Sequence, residues 1–243
     1  MNIMQRRALI IGCPDQEIPG VLDDMRNYRA FFESDAGGEW YSSEIKTLQS
    51  PSVATLRSEM QNLKKADYSI VVFAGHGGYS TSARATLLQL GPQVFIDEYE
   101  LKLGASRHTV IIDACRVHVD IPLREEVRKS VFAMDSLSVR SRSRAIFDAH
   151  VQKCAPDLAV MYSCSIGQGA GDTAGRGGTY SSILLDESNS WASRYTSRST
   201  GVLTVSDAHE KATPLVDRAR GGRQTPTAVF PRNVPRFPFA ICG

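Results

Sequence analysis

The chain has 243 residues, enough for one substantial core or two small ones and too few for a multidomain machine. Apolar residues make up 42% and charged residues 22%, which excludes a disordered or fibrous protein. Lys and Arg number 28 against 26 Asp and Glu, and a net charge of +2 falls far short of the footprint of a dedicated nucleic-acid binder.

The charged start, Met1–Arg7, precedes an apolar run, Ala8–Ile11, that is too short for a signal peptide core or a membrane span. That run belongs to a first strand over Arg7–Gly12. Val21, Leu22, Met25, Tyr28, Phe31 and Phe32 then fall on one helical stripe. A second strand is expected over Ile45–Leu48. Ser50-Pro51 opens a second helix, with Ser as N-cap, Pro in the first turn and Val53, Leu56, Met60 and Leu63 along its face. Tyr68–Ala74 and Thr109–Asp113 are nearly continuous apolar runs, as expected of parallel strands covered on both faces.

Between Arg116 and Asp157 the alternation stops. Ser138–Arg144 alternates Ser with Arg and reads as a solvated loop, or more sharply as an exposed, protease-accessible linker. Strands resume at Leu158–Ser163. Thr204, Ser206 and Asp207 compete to cap a helix that ends at Gly221-Gly222, and Thr227–Phe230 closes the series. Strand and helix in this order define an α/β domain with right-handed crossovers.

Two strand ends carry chemistry. One closes as Val71-Val-Phe-Ala-Gly-His76-Gly-Gly78, the other as Ile111-Ile-Asp113-Ala-Cys115-Arg116. Ligands of parallel sheets sit beyond the carboxyl ends of the strands, so His76 and Cys115 face one crevice. A thiolate is a good nucleophile, an imidazole moves protons near neutral pH, and glycines let backbone approach an oxyanion. Either residue alone reads more simply, Cys115 as core and His76 as part of a turn. Their pairing makes the difference. The other cysteines (Cys13, Cys154, Cys164, Cys242) and histidines (His108, His118, His150, His209) are assigned no role. Five cysteines without a CxxC pair also argue against a disulfide framework or zinc cage, and for a reducing compartment.

Ser69–Gly78 followed by Thr109–Arg116 resembles the catalytic half of caspase-type cysteine peptidases, especially the metacaspase and paracaspase branches. Looser matches extend it over nearly the whole chain: Arg7–Gly12, Gly20–Asp24 with Asn27 and Phe31, Tyr162–Ile166 with Gln168 and Asp172, Gly177–Tyr180, and Gln224-Thr-Pro226. The resemblance implies a three-layer sandwich, a six-stranded, mostly parallel sheet with helices on both faces. It also implies a single peptidase domain over residues 1–243, with a large-subunit-like part to residue 115, a linker over about 116–157 and a small-subunit-like part from 158. By the same resemblance His76 and Cys115 form the catalytic dyad, and the Gly77 and Cys115 N–H groups form the oxyanion hole.

Caspases that cut after aspartate carry Gln two residues before the nucleophile. Here that residue is Asp113, and a carboxylate at the pocket floor repels an acidic side chain and pairs with a cation. Asp24 matches the second pocket acid of the metacaspase pattern, although acids near a helix start are common without such a role. Asp172 is a third acid in the region. Cleavage after Arg, or Lys, is therefore expected, and Arg140, Arg142 and Arg144 become candidate self-cleavage sites. Ala74 stands where metacaspases usually have Ser.

No cofactor or metal is expected. The stretch after His76 (Gly77–Arg84) lacks the acidic cluster of calcium-dependent relatives. The expected partners are protein or peptide substrates with a basic residue at the cleaved bond, and a regulatory activator or inhibitor. No nucleic acid or membrane is expected, and the location is expected to be cytoplasmic. By analogy with lone bacterial domains of this kind, a stress or phage-defence role is implied. Three alternatives stand beside this reading: a catalytically inactive scaffold, acyl transfer to an amine in place of water, and nucleotide binding through the G-x-G-x-x-A outline of Gly169–Ala174.

Overall fold

The computed structural model describes residues 4–119, 141–194 and 200–243. Its centre is a six-stranded sheet. In chain order the elements are β1 (Arg6–Cys13), α1 (Val21–Glu33), β2 (Ile45–Gln49), α2 (Val53–Leu63), β3 (Tyr68–Gly75), β4 (Gly77–Ser80), β5 (Ala85–Gly91), β6 (Val94–Asp97) and β7 (Arg107–Asp113). They continue with α3 (Arg142–Lys153), β8 (Asp157–Tyr162), β9 (Asp172–Thr173), β10 (Gly177–Gly178), α4 (Thr179–Ser193), β11 (Gly201–Thr204), α5 (Val205–Ala219), β12 (Thr227–Val229) and β13 (Pro238–Cys242). The sheet order is β12-β8-β7-β3-β1-β2, parallel throughout except for β12.

All six strands read from the sequence lie in this sheet, and its four inner strands, β1, β3, β7 and β8, are buried on both faces while the edge strands β2 and β12 are only partly buried. Successive side chains alternate sides, so each inner strand needs two sets of apolar residues. Ala8, Ile10, Ile70, Val72 and Ile111 enter a core with Tyr28, Phe32, Phe147, Leu184 and Val216 from α1, α3, α4 and α5. Leu9, Ile11, Val71, Phe73 and Ile112 enter a second core beneath Leu56, Met60 and Leu63 of α2 and Leu88 and Ile96 of the small sheet β4-β5-β6.

Two expectations change and one open choice is decided. The N-cap of α2 is Ser52, whose Oγ accepts from the Thr55 N–H at 3.1 Å, and not Ser50. Of the competing caps for α5, Thr204 prevails, in a reciprocal pair with Asp207. The described end of the Ser138–Arg144 run, read as a solvated loop, opens α3, where Arg144, Phe147 and Val151 are buried.

The connections position the site. From β1 the chain moves outward to β2, then returns past β1 to β3 and on to β7 and β8. Between β1 and β3 the direction of winding reverses. The α1 connection covers one face, and the β4-β5-β6 excursion covers the other. Such a switch point opens a crevice at the carboxyl ends of the strands.

Candidate active site

β3 and β7 run parallel in register through Ala74 and Asp113, so His76 and Cys115 leave neighbouring strands at the same level. Contact is close: a Cβ added to Gly77 would lie 2.8 Å from the Cys115 carbonyl oxygen and 2.9 Å from the Ala114 Cβ. The Gln89 N–H donates to the His76 carbonyl at 3.0 Å. In an antiparallel ladder bonded and non-bonded pairs alternate, so at the Gly77–Leu88 pair the Gly77 N–H turns away from β5.

The five cysteines, all free, fall into two groups. Cys13, Cys154, Cys164 and Cys242 are buried. Burial pushes the thiols of Cys13 and Cys164 up to about 12 and that of Cys154 up to about 11, far from thiolate formation at neutral pH. Cys115 is half-buried, and its Sγ accepts from the Ala170 N–H at 3.2 Å. Accessibility singles it out.

Among the histidines, His118 is exposed and His150 half-buried against the Arg236 carbonyl, so exposure alone does not separate them. His108 is buried between Ser69 and the Leu101 carbonyl, and His209 is buried against the Tyr180 hydroxyl, its basicity lowered by burial to about 4. His76 is 30% exposed, and its Nε2 lies 2.8 Å from the Asp15 carboxylate. Asp15 stands in the loop after β1 and went unread in the sequence. The signal for it is spatial: β1 pairs with β3 through Cys13 and Gly75, so the loops after these strands meet.

Asp113, Asp24 and Asp172 converge around β10. Both oxygens of buried Asp24 accept from the Gly178 N–H, at 3.0 and 2.9 Å. The Oδ2 of Asp113, buried at the end of β7, accepts from the Ser181 N–H and hydroxyl at 3.1 and 2.6 Å. Gly177 and Gly178 are required here, since added Cβ atoms would lie 2.1 Å from Asp24 and 2.2 Å from Asp113 oxygens. The Oδ2 of Asp172 accepts from the Gly20 N–H at 3.0 Å, while its Oδ1 is buried without a hydrogen-bond partner.

The first turn of α4 therefore supplies backbone and hydroxyl donors to this cluster, as helix starts do for anions. That support is incomplete. Burial, then the charge of Asp113, raises the Asp24 carboxyl to about 8, and burial also raises Asp113. Arg220 packs its guanidinium against Gly171, yet no ion pair joins it or any other cation to the three acids among the described residues. The arrangement is a cluster of three acids, of which Asp24 and Asp113 are buried.

Two candidate readings change. Arg144 is buried in the first turn of α3 and makes a two-pronged contact with Glu44 at 2.6 and 2.7 Å. A peptidase needs its substrate extended with the side chain free, so Arg144 is corrected from self-cleavage site to structural residue. Arg142 is exposed at the start of α3, and Arg140 lies outside the described residues. The G-x-G-x-x-A outline is corrected as well: Gly169–Ala174 runs into the hairpin β9-β10 and not into a helix start, and its Asp172 joins the acids.

A mostly parallel sheet that brings a half-exposed cysteine and a histidine together at adjacent strand ends is the framework of a cysteine peptidase. Residues 5–237 match the caspase domain of peptidase family C14, and the chain belongs to that family. No curated protein matches it. Among the described residues no helix is long and apolar enough to cross a membrane.

Proposed function

We propose that this caspase-domain protein is an endopeptidase that cleaves after Arg, or Lys, through Cys115 and His76. The observation that carries the specificity is the convergence of Asp24, Asp113 and Asp172 on one recess, with an unpartnered Asp172 oxygen and a raised Asp24 carboxyl. Asp113 lies two residues before Cys115, and Asp172 two residues after the Ala170 N–H that holds the sulphur. A basic side chain anchored there sets its own carbonyl beside Cys115.

In this reading the Cys115 thiolate attacks that carbonyl, and the Gly77 and Cys115 N–H groups hold the developing oxyanion. His76 takes the thiol proton and delivers it to the leaving amine, and water then releases the acyl group. Charge decides selectivity. An acidic or neutral residue leaves desolvated carboxylates unpaired, a penalty of about 3–5 kcal/mol. In this reading self-processing falls within the Ser138–Arg144 run, and not at Arg144.

A fluorogenic peptide panel varied at the cleaved residue tests this. Wild type is expected to favour Arg and Lys over Asp and Gln by at least about 100-fold, the equivalent of about 3 kcal/mol. Cys115→Ala should be inert on every peptide and should stay whole where wild type nicks itself. Preference for Asp would overturn the specificity, and residual activity in Cys115→Ala would overturn the nucleophile.

A further inference from the structure

We propose that Asp15 is a third, positioning member of the site, fixing the tautomer and orientation of His76. The inference deepens the proposed peptidase mechanism and rests on it for the roles of His76 and Cys115. Its own basis is the geometry after β1. Asp15 divides its carboxylate between two duties. Oδ1 accepts from the Glu17 and Ile18 N–H groups at 2.9 and 3.1 Å, an Asx turn that shapes the loop, and Oδ2 lies 2.8 Å from His76 Nε2. Desolvation works against its ionisation, but bonds from the Glu17 N–H, the His76 ring and the Ile18 N–H hold the carboxyl below its usual range.

An ionised carboxylate can only accept hydrogen bonds. The proton on the ring must then sit on Nε2, which leaves Nδ1 as the nitrogen free to exchange a proton with the Cys115 sulphur. Without Asp15 the neutral ring could carry its proton on either nitrogen, and one of those forms offers the sulphur a donor where the reaction needs an acceptor. Carboxylate partners do this for histidines in other enzymes and in metal sites.

The fold explains why this carboxylate is where it is. β1 and β3 flank the reversal of winding, so their exit loops face each other across the crevice. Two residues beyond Ile18 the same segment reaches Gly20, whose N–H is held by Asp172 of the acid cluster at 3.0 Å. One short stretch of backbone thus links the group that aims His76 with a group that receives the substrate side chain.

Substitution by Asn separates the two duties. Asn keeps an Oδ1 acceptor for the turn and places an NH2 donor opposite Nε2, which forces the ring proton onto Nδ1. The experiment reads the His76 ring by two-bond 15N–1H correlation in wild type, Asp15→Asn and Asp15→Glu, assigned against His76→Ala, alongside steady-state kinetics on an Arg peptide. Wild type is expected to show the Nε2–H form and Asp15→Asn the Nδ1–H form. The kcat of Asp15→Asn should fall about 100-fold with KM within about threefold, a split that marks lost orientation of the base rather than lost binding. Asp15→Glu should restore the Nε2–H form and at least about tenfold of the lost kcat. An unchanged ring signal in Asp15→Asn overturns the proposal, even with lower activity, because the residue would then be shaping the loop alone. A changed ring with kcat unaltered overturns it too. The ring readout needs no substrate, so a wild type that cleaves no basic peptide counts against the peptidase reading while Asp15 is still judged.

Discussion

Two clusters of buried charge sit at opposite ends of the same sheet, and they are built on opposite terms. At the amino end, Arg6 of β1 and Arg144 of α3 share Glu44 and Asp148, two cations with two acids. Arg6 also donates to the Gly38 and Glu39 carbonyls and stacks on Trp40 at 4.5 Å and Phe147 at 4.8 Å. Burial lowers the basicity of Arg6 to about 10, which leaves it charged throughout the physiological range. At the carboxyl end, Asp24, Asp113 and Asp172 gather with backbone N–H groups and a serine hydroxyl, and without an ion pair among the described residues. A cluster that serves the fold carries its own counter-charge. The three acids carry none among the described residues, and burial raises the carboxyls of Asp24 and Asp113.

The widest separation between the two clusters should appear in activity. Asp113→Asn should lower kcat/KM on Arg peptides by about 1,000-fold, the kinetic equivalent of losing about 3–5 kcal/mol of desolvated pairing, without lowering Tm. Arg144→Ala should do the reverse. Leaving Glu44 and Asp148 with one cation between them costs about 3–5 kcal/mol, and in a chain of this length Tm drops by about 10 °C. Its kcat/KM per folded molecule should stay within about twofold of wild type, as expected of a site far from the reacting atoms. Equal effects of both substitutions on activity would erase the distinction.

A smaller effect sharpens it. The Asp24 carboxyl is raised to about 8 in the folded chain, against an ordinary value near 4 once unfolded. Folding therefore favours its protonated form. The associated stability is complete below about pH 4 and is lost as pH climbs through 8. Asp24→Asn, which cannot ionise, should melt above wild type at pH 9, with the advantage vanishing towards pH 4. An advantage that grew with acidity would have the wrong sign.

Much of this architecture was legible in the residues. The inner strands announce themselves because they are buried on two faces and so are nearly continuously apolar, as in Ile70–Ala74, while the edge strands β2 and β12 are shorter and mixed. His76, Cys115 and Asp113 were legible because strand ends place them. What escaped notice depends on partners distant in sequence. Arg144 makes the start of α3 look solvated, and Glu44, Asp148, the Glu39 carbonyl and the Tyr41 ring, 3.8 Å from its guanidinium, explain why it is inside. The α4 segment hides its helical face behind serines, two of which, Ser181 and Ser188, are buried through hydrogen bonds to Asp113 and to the Leu184 carbonyl. Asp15 meets His76 only because β1 and β3 are neighbours, a fact of strand order that periodicity does not carry.

Calorimetric titration of the Cys115→Ala protein with a capped peptide ending its recognised segment in arginine, and with the same peptide carrying citrulline, isolates charge from shape. The acidic recess predicts that the arginine peptide binds at least about 100-fold more tightly, a margin of roughly 3 kcal/mol. It also predicts proton release at pH 7, seen as a binding enthalpy that changes with buffer, as Asp24 ionises beside the guanidinium. Equal affinity for the two peptides, with no proton exchanged, would contradict it.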